Sequence, residues 1–174
     1  MLFRSYATKS GLKIHPEKVK AILEMPRPTD VKSLLRFNGI VQYLAKFLPR
    51  LSDMAHPLRQ LACKNAEWVW SEIQEKAWSD IKIAITQAPV LRYYSLQDEI
   101  SLQCDASETG LGTALLQLQH PVSCASRTFT QTETRYAQIE KGLLAIVFAC
   151  EKFDKYIFGQ IGRASCRERV YVLV

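Results

Sequence analysis

The residue whose type and setting best suit chemistry is Asp105, within the stretch SLQCDASETGLG that spans Ser101 to Gly112. Apolar and polar residues alternate from Ile100 to Asp105, which is the period of a strand with unlike faces, and a Ser-Glu-Thr-Gly turn follows. Asp105 is therefore expected at a strand end, on the more polar face. An acid beside a turn either forms the turn or caps a helix, or it has a catalytic role, and this stretch alone leaves both interpretations open.

The five cysteines and three histidines predict no further site. The cysteines contain no CxxC pair and the histidines lie far apart in the sequence, so neither a zinc site nor a disulfide framework is predicted. Four cysteines are instead expected to be small buried residues in a reducing compartment. These four are Cys63, Cys104, Cys124 and Cys150.

The composition predicts a folded, soluble chain of 174 residues with 48% apolar residues. The net charge of +6 is a weak indication of a polyanionic partner, because 17 acids are spread among 23 bases. No apolar run approaches the roughly 18 residues of a membrane span, and residues 1–10 lack the features of a secretory signal. We therefore expect an intracellular location and no membrane partner.

The first half of the chain has the periodicity of helices, after a short stretch over residues 1–12 that is expected to be the end of a sheet or a hairpin. Four helices are predicted, bounded by prolines or by capping residues such as Asp30 and Ser71. They span about 16–25, 30–48, 53–61 and 71–88. Three tryptophans, Trp68, Trp70 and Trp78, suit either the core or a platform for stacking bases, and their spacing beside aliphatic residues favours the core.

The second half changes to a strand period and then returns to helix. Three strands are predicted near 100–104, 113–118 and 122–126, which would form an antiparallel meander. A long helix follows from about 130 to 158, and no strand is predicted after it. Its buried face is expected to carry Tyr136, Ile139, Leu143, Ile146, Val147, Cys150 and Phe153. The predicted fold class is α+β.

Several of these stretches carry a resemblance to a known family. The run GLKIHPEKVKAILEMPRPTDVKSLLRFNGIVQYLAKFLPRLSDMAHPLRQL resembles the thumb and connection of reverse transcriptases from gypsy-class LTR retrotransposons. The stretches QCDASETGLGTALLQ, PVSCASRTFT and RYAQIEKGLLAIVFACEKFDKYIFG resemble the first three strands and the first helix of the ribonuclease H domain that follows. The resemblance covers about residues 11–159.

The resemblance implies three segments. Residues 1–66 would be reverse transcriptase thumb and connection helices, and residues 67–160 the N-terminal part of an RNase H-like domain, truncated after three antiparallel strands and a long helix. Residues 161–174 are expected to be a non-native tail, because IGRASCRERV fits no continuation of the family and resembles a translated sequencing adapter. A genuine frameshifted or divergent basic tail is the alternative.

The parent activity implied by the resemblance is RNA-directed DNA synthesis with Mg²⁺-dependent hydrolysis of the RNA strand of RNA/DNA hybrids. Two metal ions about 3.5–4 Å apart require several converging carboxylates. The first family carboxylate falls on Asp105, whereas the second falls on Gly142, which has no side chain. Glu140 is no natural substitute, because two residues on a helix lie about 200° apart around its axis. The later family acids are absent from residues 160–174, which contain neither Asp nor His.

The acids that polymerase activity would require are also incomplete, because the chain contains no aspartate pair of the YxDD kind. Asp30, Asp53 and Asp80 are expected to be isolated residues at helix caps or on exposed faces. Six bases are candidates for contacts with the phosphates of a hybrid or template–primer duplex, and a solvated helix face is an equally open interpretation. They are Lys18, Lys20, Lys32, Arg36, Lys46 and Arg50.

Three hypotheses follow from these observations. The one we favour is a catalytically dead piece of a retroelement Pol polyprotein, with Asp105 as a relic metal ligand and no Mg²⁺ bound by this chain. The second is a non-catalytic module that binds hybrid duplex. The third is a nuclease completed in trans or by a further segment.

Overall fold

The computed structural model describes residues 5–63, 66–159, 163–166 and 170–173. A short hairpin comes first, formed by β1 (Ser5–Thr8) and β2 (Gly11–Ile14), as expected for this end of the chain. The amide of Leu12 donates to the carbonyl of Leu91 over 2.7 Å, and the amide of Leu91 donates back over 3.0 Å. The hairpin is thereby tied to the segment that follows the helices.

Five helices pack together around the first hydrophobic core. They are α1 (Pro16–Leu23), α2 (Val31–Tyr43), α3 (Leu51–Met54), α4 (His56–Leu61) and α5 (Glu72–Thr86). Predicted caps are present, since Asp30 accepts from the amide of Ser33 over 2.7 Å and Ser71 accepts from the amide of Ile73. The three tryptophans pack against this core, as the sequence favours.

The first hydrophobic core includes residues beyond 66, and the domain bounds predicted from the sequence stay a prediction. Ala77, Ile81 and Ile85 of α5 are buried with the preceding helices, so this helix packs with the thumb-like half, although the resemblance assigns residues 67–160 to the RNase H-like part. The link between the cores, residues 92–99, is held by Gln117. That buried amide donates to the carbonyls of Ser95 (2.7 Å) and Asp98 (2.9 Å), and it accepts from the amide of Ser95.

The second core lies between a sheet and the long helix α6 (Gln138–Ile157). The predicted antiparallel meander is confirmed by β3 (Ile100–Ala106), β4 (Gly110–Gln117) and β5 (His120–Thr128). The α+β class, with three such strands and a long helix, is therefore confirmed. Helix α6 covers the face of β3 on which Ile100, Leu102 and Cys104 are buried.

The prediction that no strand follows the long helix is wrong. Two further strands, β6 (Arg163–Cys166) and β7 (Val170–Leu173), extend the sheet in the order β5-β4-β3-β7-β6. Strand β7 pairs antiparallel with β3. Runs of four residues are too short to show a period, which is why the pattern missed them. The non-native origin of residues 161–174 stays a prediction, and residues 161–162, 167–169 and 174 lie outside the described part of the chain.

The predicted buried face of the long helix is also largely wrong. The residues that face the sheet most closely are Ala145, Ala149 and Phe153, all at most 2% exposed. Ile139 and Leu143 are instead 70% and 57% exposed. Apolar residues occupy most of the circumference of α6, so periodicity alone does not select a face, and the small alanines allow the helix to approach the sheet.

Burial of the cysteines is confirmed in part. Cys104 and Cys124 are buried, and burial raises the pKa of each thiol to about 11. Cys150 is half-buried, whereas Cys63 is exposed, contrary to the prediction. Cys63 follows the last turn of α4, and its thiol lies 3.7 Å from the carbonyl oxygen of Arg59.

The loop between β5 and α6 is fixed by a two-pronged ion pair. The guanidinium of Arg127 donates to the two carboxylate oxygens of Glu133 over 2.7 and 2.8 Å, and the amide of Thr130 donates to the same carboxylate over 2.8 Å. These hydrogen bonds lower the pKa of Glu133 to about 2, with the Arg127 contact as the largest cause. Glu133 therefore holds the loop that leads to α6 against the end of β5.

Substitution Glu133→Gln should destabilise the fold by about 1 kcal/mol at neutral pH, because it removes a charge-assisted pair that is partly exposed. A carboxylate with a lowered pKa stabilises the folded state above about pH 4.5, and that contribution is lost as the pH falls towards 2. The difference between wild type and variant in urea unfolding should therefore shrink over this range. The exposed Glu108→Gln is the matched control, and an equal effect of the two substitutions at pH 7 would contradict this role.

Candidate functional site at the end of strand β3

Asp105 lies near the end of β3, opposite Gly112 on β4. Because Cys104 points into the core beneath α6, alternation along the strand directs Asp105 to the other face of the sheet. Its side chain is 33% exposed there. The strand end and the polar face are both as the sequence predicts.

A cleft of about 270 Å³ lies over this face of the sheet. Its walls come from the strands on one side and from the segment before α3 on the other. The lining residues include Pro49, Arg50, Gln103, Asp105 and Gly112. The cleft therefore brings residues of the helical half directly opposite the candidate carboxylate.

Arg50 is the charged neighbour of Asp105. Its Nη1 lies 3.9 Å from Oδ2 of Asp105, within ion-pair range, and its Nε donates to Oδ2 of Asp53 over 3.2 Å. The backbone of Arg50 is left-handed, with φ of 60°, an uncommon conformation for a residue with a side chain. A Cβ on Gly112 would lie 3.4 Å from Cγ of Arg50, so the glycine leaves room for the arginine stem.

The prediction that Asp53 is isolated at a helix cap or on an exposed face is wrong. Oδ1 of Asp53 accepts hydrogen bonds from the hydroxyls of Ser107 (2.6 Å) and Thr109 (2.9 Å), both in the turn that follows Asp105. Its side chain is only 20% exposed. These partners are more than fifty residues away in the chain, so no local pattern could have found them.

The neighbouring Ser52 extends the same contact. It is fully buried, its amide donates to Oγ of Ser126 over 3.0 Å, and its hydroxyl donates to the carbonyl of Leu111 over 3.4 Å. A Cβ on Gly110 would lie 2.6 Å from the carbonyl oxygen of Arg127 and 3.0 Å from Oγ of Ser52. Helix α3 therefore docks closely on the start of β4 and the end of β5.

Gly142 lies in the first turns of α6, where a Cβ would meet no described atom within 4 Å. Glu140 is engaged in capping the helix, since its carboxylate accepts from the amide of Ala137 over 2.8 Å. The start of α6 is tied to the strand end by Gln138, which donates to the carbonyl of Ala106 over 3.1 Å. The roles assigned to Asp105 and to position 142 stay predictions.

The side chains around Asp105 do not fit a pair of metal ions. Within residues 5–63, 66–159, 163–166 and 170–173, no group of three or more His, Cys, Asp or Glu side chains could hold a metal. A two-metal site needs several carboxylates, whereas the charged group nearest to Asp105 in the cleft is a guanidinium. The expectation that this chain binds no Mg²⁺ remains a prediction.

The six candidate bases have different surroundings. Lys18 and Arg36 line a second cleft, of about 370 Å³, whose apolar walls include Ile22 of α1, Ile40 of α2 and Met25 between the two helices. Lys20 instead pairs with Glu24 on its own helix.

The other three bases are placed differently. Lys32 is exposed in the first turn of α2, and Lys46 lies over the ring of Phe47, with its pKa lowered by burial. Arg50 faces Asp53 and Asp105.

None of the helices in the described part of the chain combines the length and apolar character that a bilayer crossing requires.

Comparisons with known proteins agree with this architecture. A sequence model of the RNase H-like domain found in reverse transcriptase matches residues 70–162. The retrovirus-related Pol polyprotein from transposon 297 of Drosophila melanogaster is 36% identical over 154 residues, which are 88% of this chain and 14% of that polyprotein. The transposon Tf2-3 polyprotein of Schizosaccharomyces pombe is 30% identical over 157 residues, or 87% of this chain and 12% of the relative.

A solved structure shows the same fold. The foamy viral protease-reverse transcriptase in complex with an RNA/DNA hybrid superposes with a TM-score of 0.80 and 23% identity, covering 91% of this chain and 22% of that one. The match runs across both cores, so the helical half and the sheet occur together in that protein as they do here.

Proposed function

This chain belongs to the family of RNase H-like domains found in reverse transcriptases, and on that premise we propose that it is a segment of a retrotransposon Pol polyprotein that binds RNA/DNA hybrid or template–primer duplex without cleaving it. The parent polyprotein would copy RNA into DNA and hydrolyse the RNA strand of the hybrid with Mg²⁺. The sequence stretches at 11–61 and 103–159 support a gypsy-class parent. An intracellular location is part of the same proposal.

The observation that carries the proposed inactivity is the setting of Asp105. Hydrolysis by two metal ions requires converging carboxylates with open positions for water and phosphate. Asp105 faces Arg50, and the helix position assigned to the second acid is Gly142. A single carboxylate beside a guanidinium has neither the charge nor the number of ligands for this chemistry.

The cleft between α1 and α2 supports the proposed binding. Lys18 and Arg36 place two positive charges on its walls, and neither forms an ion pair with an acid in the described part of the chain. Cations on a surface attract a phosphate backbone without regard to sequence, and release of counterions makes such binding sensitive to salt. Weak, salt-dependent affinity for duplex is the function that this arrangement supports best.

The purified chain, incubated with end-labelled RNA/DNA hybrid and Mg²⁺, should retain the hybrid at low salt and leave the RNA intact. The double variant Lys18→Gln/Arg36→Gln should weaken retention and reduce the slope of log affinity against log salt by about one for each phosphate that the variant no longer neutralises. The matched control is Lys76→Gln/Lys152→Gln, which removes the same charge from exposed positions on α5 and α6.

Equal effects of the two double variants would show that the cleft is not the binding surface. No retention of the hybrid at low salt would contradict binding altogether. Mg²⁺-dependent cleavage that Asp105→Asn abolishes would overturn the proposed inactivity and favour a working nuclease.

Replacing Gly142 by Glu should restore no Mg²⁺-dependent cleavage, because the later family acids are still absent from residues 160–174. The same substitution should stabilise α6 by up to about 1 kcal/mol, since Gly is a poor helix residue and position 142 has open space around it. A raised urea midpoint therefore confirms that the variant is folded when its activity is assayed. Gly142→Ala is the control without a carboxylate, and cleavage by the Glu variant alone would contradict the prediction.

A further inference from the structure

We propose that Asp53 is a positioning residue that holds Arg50 opposite Asp105, so that Asp105 serves as an ion-pair anchor between the helical half and the sheet and not as a metal ligand. We use the term clasp for the hydrogen-bonded group of Arg50, Asp53, Ser107 and Thr109. The proposal is independent of whether the chain binds hybrid duplex. It concerns the cleft over β3, whereas the proposed duplex contacts lie between α1 and α2.

The carboxylate of Asp53 has a different partner on each oxygen. Oδ1 accepts from the hydroxyls of Ser107 and Thr109, and Oδ2 accepts from Nε of Arg50. A charged acceptor makes stronger hydrogen bonds than a neutral one, and this one is mostly shielded from water. The two oxygens therefore have separate roles. Oδ1 binds the β3–β4 turn, and Oδ2 orients the guanidinium of Arg50.

The turn that Asp53 holds is itself organised by Ser107. Its hydroxyl oxygen accepts from the amides of Thr109 (3.1 Å) and Gly110 (3.0 Å) while its proton is directed to Asp53. Thr109 and Gly110 lead directly into β4, whose Gly112 is the neighbour of Asp105 across the strands. Asp53 thus reaches the strand end that carries Asp105 from the helical side of the molecule.

The backbone of Arg50 is held in a conformation that a non-glycine residue adopts at a cost. The contacts that offset this cost are its bond to Asp53 and its approach to Asp105, 3.2 and 3.9 Å respectively. The carbonyl of Arg50 also accepts from the amides of Asp53 and Met54 at the start of α3, so the backbone has support of its own, and the carboxylate of Asp53 adds the contact that directs the guanidinium. Asp53 therefore directs Arg50 into the cleft.

A guanidinium at this distance changes what Asp105 can bind. A divalent cation on the carboxylate, with an oxygen–metal distance of about 2.1 Å, would lie within a few ångströms of the Arg50 charge. The two cations would repel each other across a short distance. Arg50 and a metal ion are therefore alternatives at Asp105, and the clasp favours Arg50.

Two variants of Asp53 separate its two roles, with the full chain labelled for NMR and the exposed Asp80→Ala as the matched control. Asp53→Asn keeps a carbonyl oxygen for the two hydroxyls but offers an amide nitrogen to Arg50. It should shift the Arg50 Nε–H signal and leave the exchange protection of the Thr109 and Gly110 amides unchanged. Asp53→Ala should shift the Arg50 Nε–H signal and also reduce the exchange protection of the Thr109 and Gly110 amides, about tenfold or more.

A reduced protection in both variants, or an unmoved Arg50 signal in Asp53→Asn, would overturn the positioning role. If Asp53→Ala does not fold, Ser107→Ala/Thr109→Ala takes its place. This variant should reduce the exchange protection of the Thr109 and Gly110 amides and leave the Arg50 Nε–H signal at its wild-type position. A shift of the Arg50 signal would contradict separate roles for the two oxygens.

Paramagnetic broadening by Mn²⁺ tests the consequence for Asp105. The wild-type chain should show no broadening of the amides of Gln103 to Ala106 beyond that of Asp105→Asn. Arg50→Gln removes the cation that contacts the carboxylates of both Asp53 and Asp105, so it should introduce such broadening, and Arg50→Gln/Asp105→Asn should lose it again. Broadening in the wild type that depends on Asp105, or no gain in Arg50→Gln, would overturn the proposal.

Discussion

One carboxylate joins the two halves of this molecule. Asp53 lies in α3, and it accepts hydrogen bonds from Arg50 at the start of that helix and from the β3–β4 turn. The buried Ser52 beside it bonds to the carbonyl of Leu111 and to the side chain of Ser126. This polar contact helps to fix how α3 lies against the sheet, together with the packing of residues Ala45–Phe47 on β5.

The same contact is the basis of the proposal that this chain does not carry out the chemistry of its family. The strands and the long helix place Asp105 at the end of β3. The helical half presents Arg50 to this carboxylate, and position 142 of α6 is a glycine. A fold is maintained by buried apolar area, whereas a metal site requires each ligand.

Features that depend on neighbours in the chain could be predicted from the sequence, and features that depend on distant contacts could not. The caps at Asp30 and Ser71 and the three-stranded meander are local, and the structure confirms them. The buried face of α6 was missed because its Leu and Val residues surround the helix, and only the packing of the sheet against Ala145 selects a side. The hydrogen bonds of Asp53 to Ser107 and Thr109 could not be predicted, because these partners lie more than fifty residues away in the chain.

The most direct test of the ion-pair role of Asp105 is an anomalous diffraction experiment on crystals of the full chain grown with Mn²⁺. We predict no anomalous peak at the carboxylate of Asp105 and a guanidinium of Arg50 in the cleft, with its Nε on Asp53. A Mn²⁺ ion bound to Asp105, with Arg50 turned away from it, would contradict this role.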